Sequence, residues 1–326
     1  MPALPALRAA ATSSVEVTRT REFDGVRIEY LSWQLPYGPR TQALLLLPAG
    51  EAEPGSLPGL LALHCHGGQK VFGLEKITKT DQPQHPAMAE HQATYYGGRA
   101  WANEMAKRGY AVLVHDAFPF GSRRVLQDTV ADTIKTSCVP TEFQEEARLA
   151  AAQRAAAVAS DASPAEAEAA AMSEYNRWAS EHEHVIAKSL FSAGLSWPGL
   201  LLAEDIAALD ILLQRPEVDA RRIGCGGLSG GGLRTMLIGA ADPRVGCAVQ
   251  VGYFTTSADM VLNVSYVRHI YARLSRTTSA STICLVSSLQ NLAYRSFPVV
   301  EDAEPHPMRA TGTFVARPHS SPRSRA

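Results

Sequence analysis

The chain has 326 residues, 46% of them apolar, with 31 Lys and Arg against 32 Asp and Glu for a formal charge of −1. That balance supplies no basic surface for nucleic acid or an anionic membrane, so neither is expected as a partner. Five cysteines without a C-x-x-C pair exclude a disulfide framework and a zinc knuckle. The length suits one large α/β domain with an insertion as well as two small domains. The opening residues hold two prolines and an Arg inside a short apolar run, a poor signal peptide, and no apolar run is long enough to span a bilayer. A soluble cytoplasmic protein is the resulting expectation.

From about Val15 to Pro48 the pattern predicts antiparallel strands: Val26, Ile28 and Tyr30 alternate with Arg27 and Glu29, and Ala43 to Leu47 is continuously apolar. Gly59 to Leu63 reads as a buried strand running into His64-Cys-His-Gly-Gly68. Trp101 to Arg108 reads as a short helix that Gly109 ends, and Tyr110 to Val114 as the next buried strand, closing on His115 and Asp116. Apolar strands alternating with helices predict a parallel sheet covered on both faces.

Between residues 118 and 196 the strand signal stops and the chain turns Ala- and Glu-rich. Thr141-x-x-Gln144 and Ser163-Pro-x-Glu166 are capping boxes, and Met172, Tyr175 and Trp178 mark an apolar face. This helical insertion is either a lid over a site or a packed hairpin. Glu181-His-Glu-His184 within it reads as a solvated face. Trp197 to Arg215 is a long helix with Leu202, Ile206, Leu209 and Leu213 on one stripe, stopped by Pro216. Val245 to Val251 is a further strand. From about residue 265 to 326 Ser, Thr and Arg dominate, and only Ser281 to Val286 and Thr313 to Ala316 still resemble strands.

The chemistry concentrates in Arg222-Ile-Gly-Cys-Gly-Gly-Leu-Ser-Gly-Gly-Gly232, which contains G-x-S-x-G at Gly227 to Gly231. Leu233, Met236, Leu237 and Ala240 follow with helical spacing, so the motif sits between a strand and a helix. Glycines flanking a turn this sharp remove the Cβ atoms that would meet the crossing chain. The helix start behind it favours developing negative charge. The third glycine of a dinucleotide fingerprint falls on Ser229, and no Lys-Ser or Lys-Thr follows for a P-loop.

A serine hydroxyl needs a base and a group to orient that base. The histidines after Ser229 are His269, His306 and His319; His319 follows the last strand-like run, and His306 is second. The acid is open between Asp302, Glu301, Glu304 and, after the strand ending at Val286, Asn291 in place of a carboxylate. The oxyanion hole falls to Gly230 and to the His66, Gly67 and Gly68 loop. His64-x-His66 also resembles the start of a metal-dependent hydrolase site, but no convincing further ligands accompany it.

Leu63 to Lys70, Lys107 to Ala117 with Phe120-Gly-Ser-Arg123, and Arg222 to Gly232, in that order, resemble the dienelactone-hydrolase and acetyl-xylan-esterase branch of the α/β-hydrolase superfamily. The resemblance covers roughly Val15 to Ala258. It implies one α/β-hydrolase domain over residues 1–326 with the helical insertion at 118–196. It further implies a serine esterase that takes a small-molecule ester, with short acyl groups, and uses neither metal nor organic cofactor. It assigns Ser229 as nucleophile, Gly230 and the His66–Gly68 loop as oxyanion contacts, and His319 as the histidine, with Asn291 where relatives carry Asp. Beyond Asp259 the sequence departs from that family, as an altered or frame-shifted tail would. A catalytically impaired hydrolase fold that binds a ligand is the competing function, and a metal-dependent hydrolase the third.

Overall fold

The computed structural model describes residues 4–135, 163–253 and, as backbone, 312–316. Among these residues the strands are β1 (Glu16–Phe23), β2 (Val26–Trp33), β3 (Thr41–Pro48), β4 (Leu57–Leu63), β5 (Ala111–His115), β6 (Val218–Leu228), β7 (Cys247–Val251) and β8 (Gly312–Ala316). They form one sheet in the order β1-β2-β3-β5-β4-β6-β7-β8. The four central strands β5, β4, β6 and β7 run parallel. β1, β2 and β3 add antiparallel steps on one side, and β8 adds one on the other. The β1–β2 hairpin turns on Asp24-Gly25, both at positive φ, the geometry an Asp-Gly pair adopts between twisted strands.

Period-2 alternation in the strands sorts their side chains onto two faces. On one face Leu45, Leu61, Leu63 and Leu113 pack under α1 (Leu4–Ser13), α7 (Trp197–Leu213) and α8 (Gly230–Ala241). On the other, Leu44, Leu46, Ala62 and Val112 pack against α3 (Trp101–Lys107), which follows α2 (Pro86–Tyr96) in the chain. Each such fully buried Leu or Val contributes about 2 kcal/mol of transfer free energy. A mixed sheet with a parallel centre, helices on both faces and a serine turn at the carboxyl end of a central strand is the α/β-hydrolase fold.

Two helices differ from their expected stripes. Twelve of the seventeen residues of α7 are buried, Leu200, Leu201 and Leu212 among them, while Leu202 and Leu213 are only half-buried. A helix covered by the sheet, by α1 and by a further helix has no single apolar face to display. In α8 the buried residues are Gly230 to Thr235 and Ile238, whereas Met236 and Ala240 are exposed. The apolar periodicity misses this because Arg234 and Thr235 point inward to polar partners.

The helical segment before α7 comprises α4 (Asp132–Lys135), α5 (Pro164–Glu181) and α6 (Glu183–Ser192). Ser163 and Glu166 form the expected capping box with Pro164 in the first turn. The Thr141 box lies outside the described residues. Among the described residues no single helix is long and apolar enough to cross a membrane.

Candidate active site

Strand β6 stops at Leu228 and α8 begins at Gly230, so Ser229 alone makes the turn, at φ 56° and ψ −118°. A non-glycine residue held there costs roughly 1–3 kcal/mol, which the surrounding chain must impose. Two backbone bonds impose it. Ser229 N–H donates to Val251 O at 2.8 Å, and Ser229 O accepts from Leu233 N–H at 3.0 Å. The flanking glycines are required by close approach: a Cβ on Gly227 would lie 2.6 Å from Leu63 O and from Gly231 C, and one on Gly231 would strike the Leu63 carbonyl. Ser229 itself is half-buried. It stands where β4 leaves for β5 on one side and β6 leaves for β7 on the other, the crevice in which open α/β sheets bind ligands.

The loop after β4 meets the elbow directly. A Cβ on Gly230 would sit 3.2 Å from His66 N and 3.4 Å from His66 Cβ, so the backbones of these two residues are adjacent. Gly230 opens a helix, and its N–H has no acceptor within that helix. Gly67 and Gly68 take positive φ, 55° and 69°, to turn the loop. A Cβ on Gly67 would run into the His91 ring, and the Gly68 N–H is committed to His66 Nδ1 at 3.1 Å. Of the expected oxyanion contacts, Gly230 and His66 thus lie side by side, Gly67 turns the loop against His91, and the Gly68 N–H is already bonded within the loop.

Both imidazoles of the His64-x-His66 pair are occupied. His64 Nδ1 lies 3.1 Å from Cys65 O, and its Nε2 accepts from Ala117 N–H at 3.3 Å. Burial, with Lys76 nearby, pushes His64 well below its ordinary value. His66 Nδ1 accepts from Gly68, so Nε2 carries the proton and donates to Glu183 Oε1 at 2.5 Å. Burial and the Lys70 charge lower the His66 imidazole to about 4, so it is neutral at pH 7. With every ring nitrogen engaged, this pair is a poor metal ligand set. Among the described residues no three His, Cys, Asp or Glu side chains gather to hold an ion.

Glu183 corrects the reading of Glu181-His-Glu-His184 as a solvated face. Glu181 and His184 are exposed, but His182 and Glu183 are 5% and 6% exposed. Glu183 also accepts from Lys70 Nζ, itself fully buried. Burial pushes the Glu183 carboxyl up, and the His66 hydrogen bond and the Lys70 charge outweigh it and hold it below its ordinary value.

Beneath the elbow lies a second polar cluster that the sequence did not reveal. Asp205 of α7 accepts from His115 Nε2 at 2.9 Å and from Arg234 Nε and Nη2 at 3.0 and 2.5 Å, all three residues being buried. Burial opposes ionisation of Asp205, but Arg234 and the His115 hydrogen bond hold its carboxyl low. The cluster ties α8, the helix that follows Ser229, to α7 and to the end of β5. Beside it Glu204 joins Arg123 at 2.9 Å, Tyr37 at 3.0 Å and the Phe118 N–H at 3.1 Å. A signal was present: Glu204 and Asp205 sit in an otherwise apolar helix, where a carboxylate needs partners.

His319, Asp302, Asn291, His269, His306, Glu301 and Glu304 lie outside the described residues. Strand β8 nonetheless bears on the histidines. It starts at Gly312 beside Val251, the residue bonded to Ser229, and ends at Ala316 beside Cys247. At about 3.3 Å per residue, Ala316 is about 13 Å farther from the Ser229 end than Gly312. Gly312 is therefore the end of β8 nearer the elbow, and Ala316 the end farther from it.

No protein-family model matches the chain, and no curated protein does. Solved structures do. A provisional acetyl xylan esterase from Bacteroides fragilis is 17% identical at a TM-score of 0.45, with 74% of this chain covered and 49% of that one. Acetyl xylan esterase 1 from Thermoanaerobacterium sp. is 15% identical at 0.38, covering 74% and 53%. A glucuronoyl esterase from Solibacter usitatus is 16% identical at 0.36, covering 74% and 54%. The chain spans about half the length of these structures. What it does is read from its own site.

Proposed function

We propose that the protein is a serine carboxylesterase working through an acyl-enzyme on Ser229. The observation that carries this is the strained serine turn with the Gly230 and His66 backbones side by side. Ser229 Oγ attacks the ester carbonyl, and the oxyanion forms against the Gly230 and His66 N–H groups. A histidine takes the serine proton and returns it to the leaving alcohol, and water then releases the acid. The sequence favours His319 for that role, with Asp302 or Asn291 orienting it. The direction of β8 favours His306, which lies six residues ahead of Gly312, the end of the strand beside Val251. Short acyl groups are the proposed substrates, following the family resemblance.

The test is Ser229→Ala assayed on p-nitrophenyl acetate. A fall of at least roughly 10⁴-fold in kcat with an unchanged fold is expected, and retained activity ends the proposal. Fluorophosphonate labelling separates the esterase from a hydrolase fold that only binds, since only an activated Ser229 hydroxyl is labelled. His306→Ala and His319→Ala, compared in the same assay, identify the base.

A further inference from the structure

We propose that Glu183, acting with Lys70, is a positioning residue that holds the oxyanion loop, and that the helical segment is a strut for that loop. The inference rests on the esterase reading for its catalytic consequence. Glu183 opens α6 and reaches across 117 positions of sequence to His66, whose Nε2–H it accepts at 2.5 Å while also accepting from Lys70 Nζ. One helix earlier, Asn176 Oδ1 accepts the backbone N–H groups of Lys70 at 2.7 Å and Val71 at 3.2 Å, and its Nδ2 donates to Gln69 Oε1 at 2.6 Å. From beneath, the buried Lys76 Nζ donates to Cys65 O at 3.1 Å and His66 O at 2.9 Å. Gly121 N–H fixes Lys70 O at 3.1 Å.

These contacts secure the loop from three directions around one group, the His66 backbone N–H beside Gly230. A buried ion pair is weak evidence for stability, because desolvation of both charges offsets their attraction. Its clearest effect here is geometric. Lys70 Nζ lies 4.5 Å from the Phe120 ring centroid and 5.4 Å from that of Trp197, so the cation is enclosed and its only carboxylate among the described residues is Glu183. The His66 ring is thereby held in one orientation, and with it the Gly68 turn that its Nδ1 accepts from. A lid must leave the site to admit substrate; a segment that supplies the bonds defining the oxyanion loop must stay.

The experiment compares wild type with E183A, E183Q and the double variant E183L/K70M, which replaces the buried pair with apolar side chains and strands no charge. On p-nitrophenyl acetate, E183A and the double variant are expected to lose 10- to 100-fold in kcat with KM within threefold of wild type. E183Q keeps an acceptor for His66 Nε2–H and is expected to recover at least part of that loss. In the same samples, hydrogen exchange of residues 64–73 is expected to quicken about tenfold while residues 206–213 stay as protected as in wild type. Unchanged kcat with unchanged exchange overturns the proposal, and so does exchange that rises equally in both segments, which marks a general loss of stability. If wild type is no faster than Ser229→Ala, the esterase reading fails and the catalytic role of Glu183 falls with it; the exchange comparison still decides whether the segment holds the loop.

Discussion

Substituting Gly227 by Ala probes the closest backbone crossing at the site. The new Cβ would lie 2.6 Å from Leu63 O and from Gly231 C and 2.7 Å from Gly231 O, all backbone atoms that no rotamer change can move. Carbon contacts settle at about 3.5–4.0 Å, so strand and helix must separate by about 1 Å. Overpacking of this kind costs about 1–3 kcal/mol, and replacing a strand glycine returns about 0.5–1 kcal/mol of it. The net cost of about 1–2 kcal/mol corresponds to a Tm lower by roughly 2–8 °C in a chain of this size. Activity should suffer more under the proposed mechanism, because about 1 Å of misplacement between Ser229 and the proposed oxyanion donors costs about 10²-fold in rate. Gly246→Ala is the control: its Cβ meets nothing closer than Ile223 O at 3.6 Å, and its effect should stay within about 0.5 kcal/mol. Thermal unfolding and p-nitrophenyl acetate hydrolysis of the two variants decide the matter. A Gly227→Ala protein with kcat/KM within twofold of wild type would refute the close crossing and the alignment built on it.

Ser229→Gly should unfold at a higher temperature than Ser229→Ala, by about 1 kcal/mol or more of stability, because glycine accepts φ 56° without strain and alanine does not; equal midpoints would remove the strain. Asp205→Ala should cost about 3–5 kcal/mol in denaturant unfolding, since it leaves Arg234 charged and buried without its partner; a loss under about 1 kcal/mol would contradict the observed pairing. For pH, the unfolded His66 binds its proton near 6.5 and the folded one near about 4, so between these values the unfolded state holds more protons and stability must rise with pH. The gap is worth at most about 3 kcal/mol, present above pH 6.5 and forfeited as pH falls through 4. Stability measured across that window in His66→Gln should show a shallower slope than wild type, and an identical slope would defeat the assignment.

The elbow was legible because its demands are local. Gly227, Gly230 and Gly231 follow from a chain that crosses itself within a few residues, and the strand before and the helix after carry their own periodicities. The helix boundaries at Ser163-Pro164 and at Gly109 were legible for the same reason, a cap or a left-handed turn being written in two or three adjacent residues. Glu183 was not. Its neighbours Glu181 and His184 do face water, and nothing in Glu181-His-Glu-His184 announces that the third residue finds its partners at His66 and Lys70. Arg234 was hidden in the same way, a charged residue whose burial depends on Asp205 in a different helix and His115 at the end of a strand.

The two clusters divide the work of holding one alignment. Asp205 and Arg234 fasten the helix that carries Gly230, and Glu183 and Lys70 fasten the loop that carries His66. Among the described residues the two clusters share no member, yet the proposed oxyanion pair needs both, since one N–H comes from each side. Their effects on rate should therefore not add as independent losses: once either N–H is displaced, releasing the other removes little more. Combining E183L/K70M with Gly227→Ala tests this, because the loop and the elbow are loosened at separate places. A kcat close to that of the worse single variant follows if both act on the same oxyanion, and a product of the two separate losses would mean that they serve different steps.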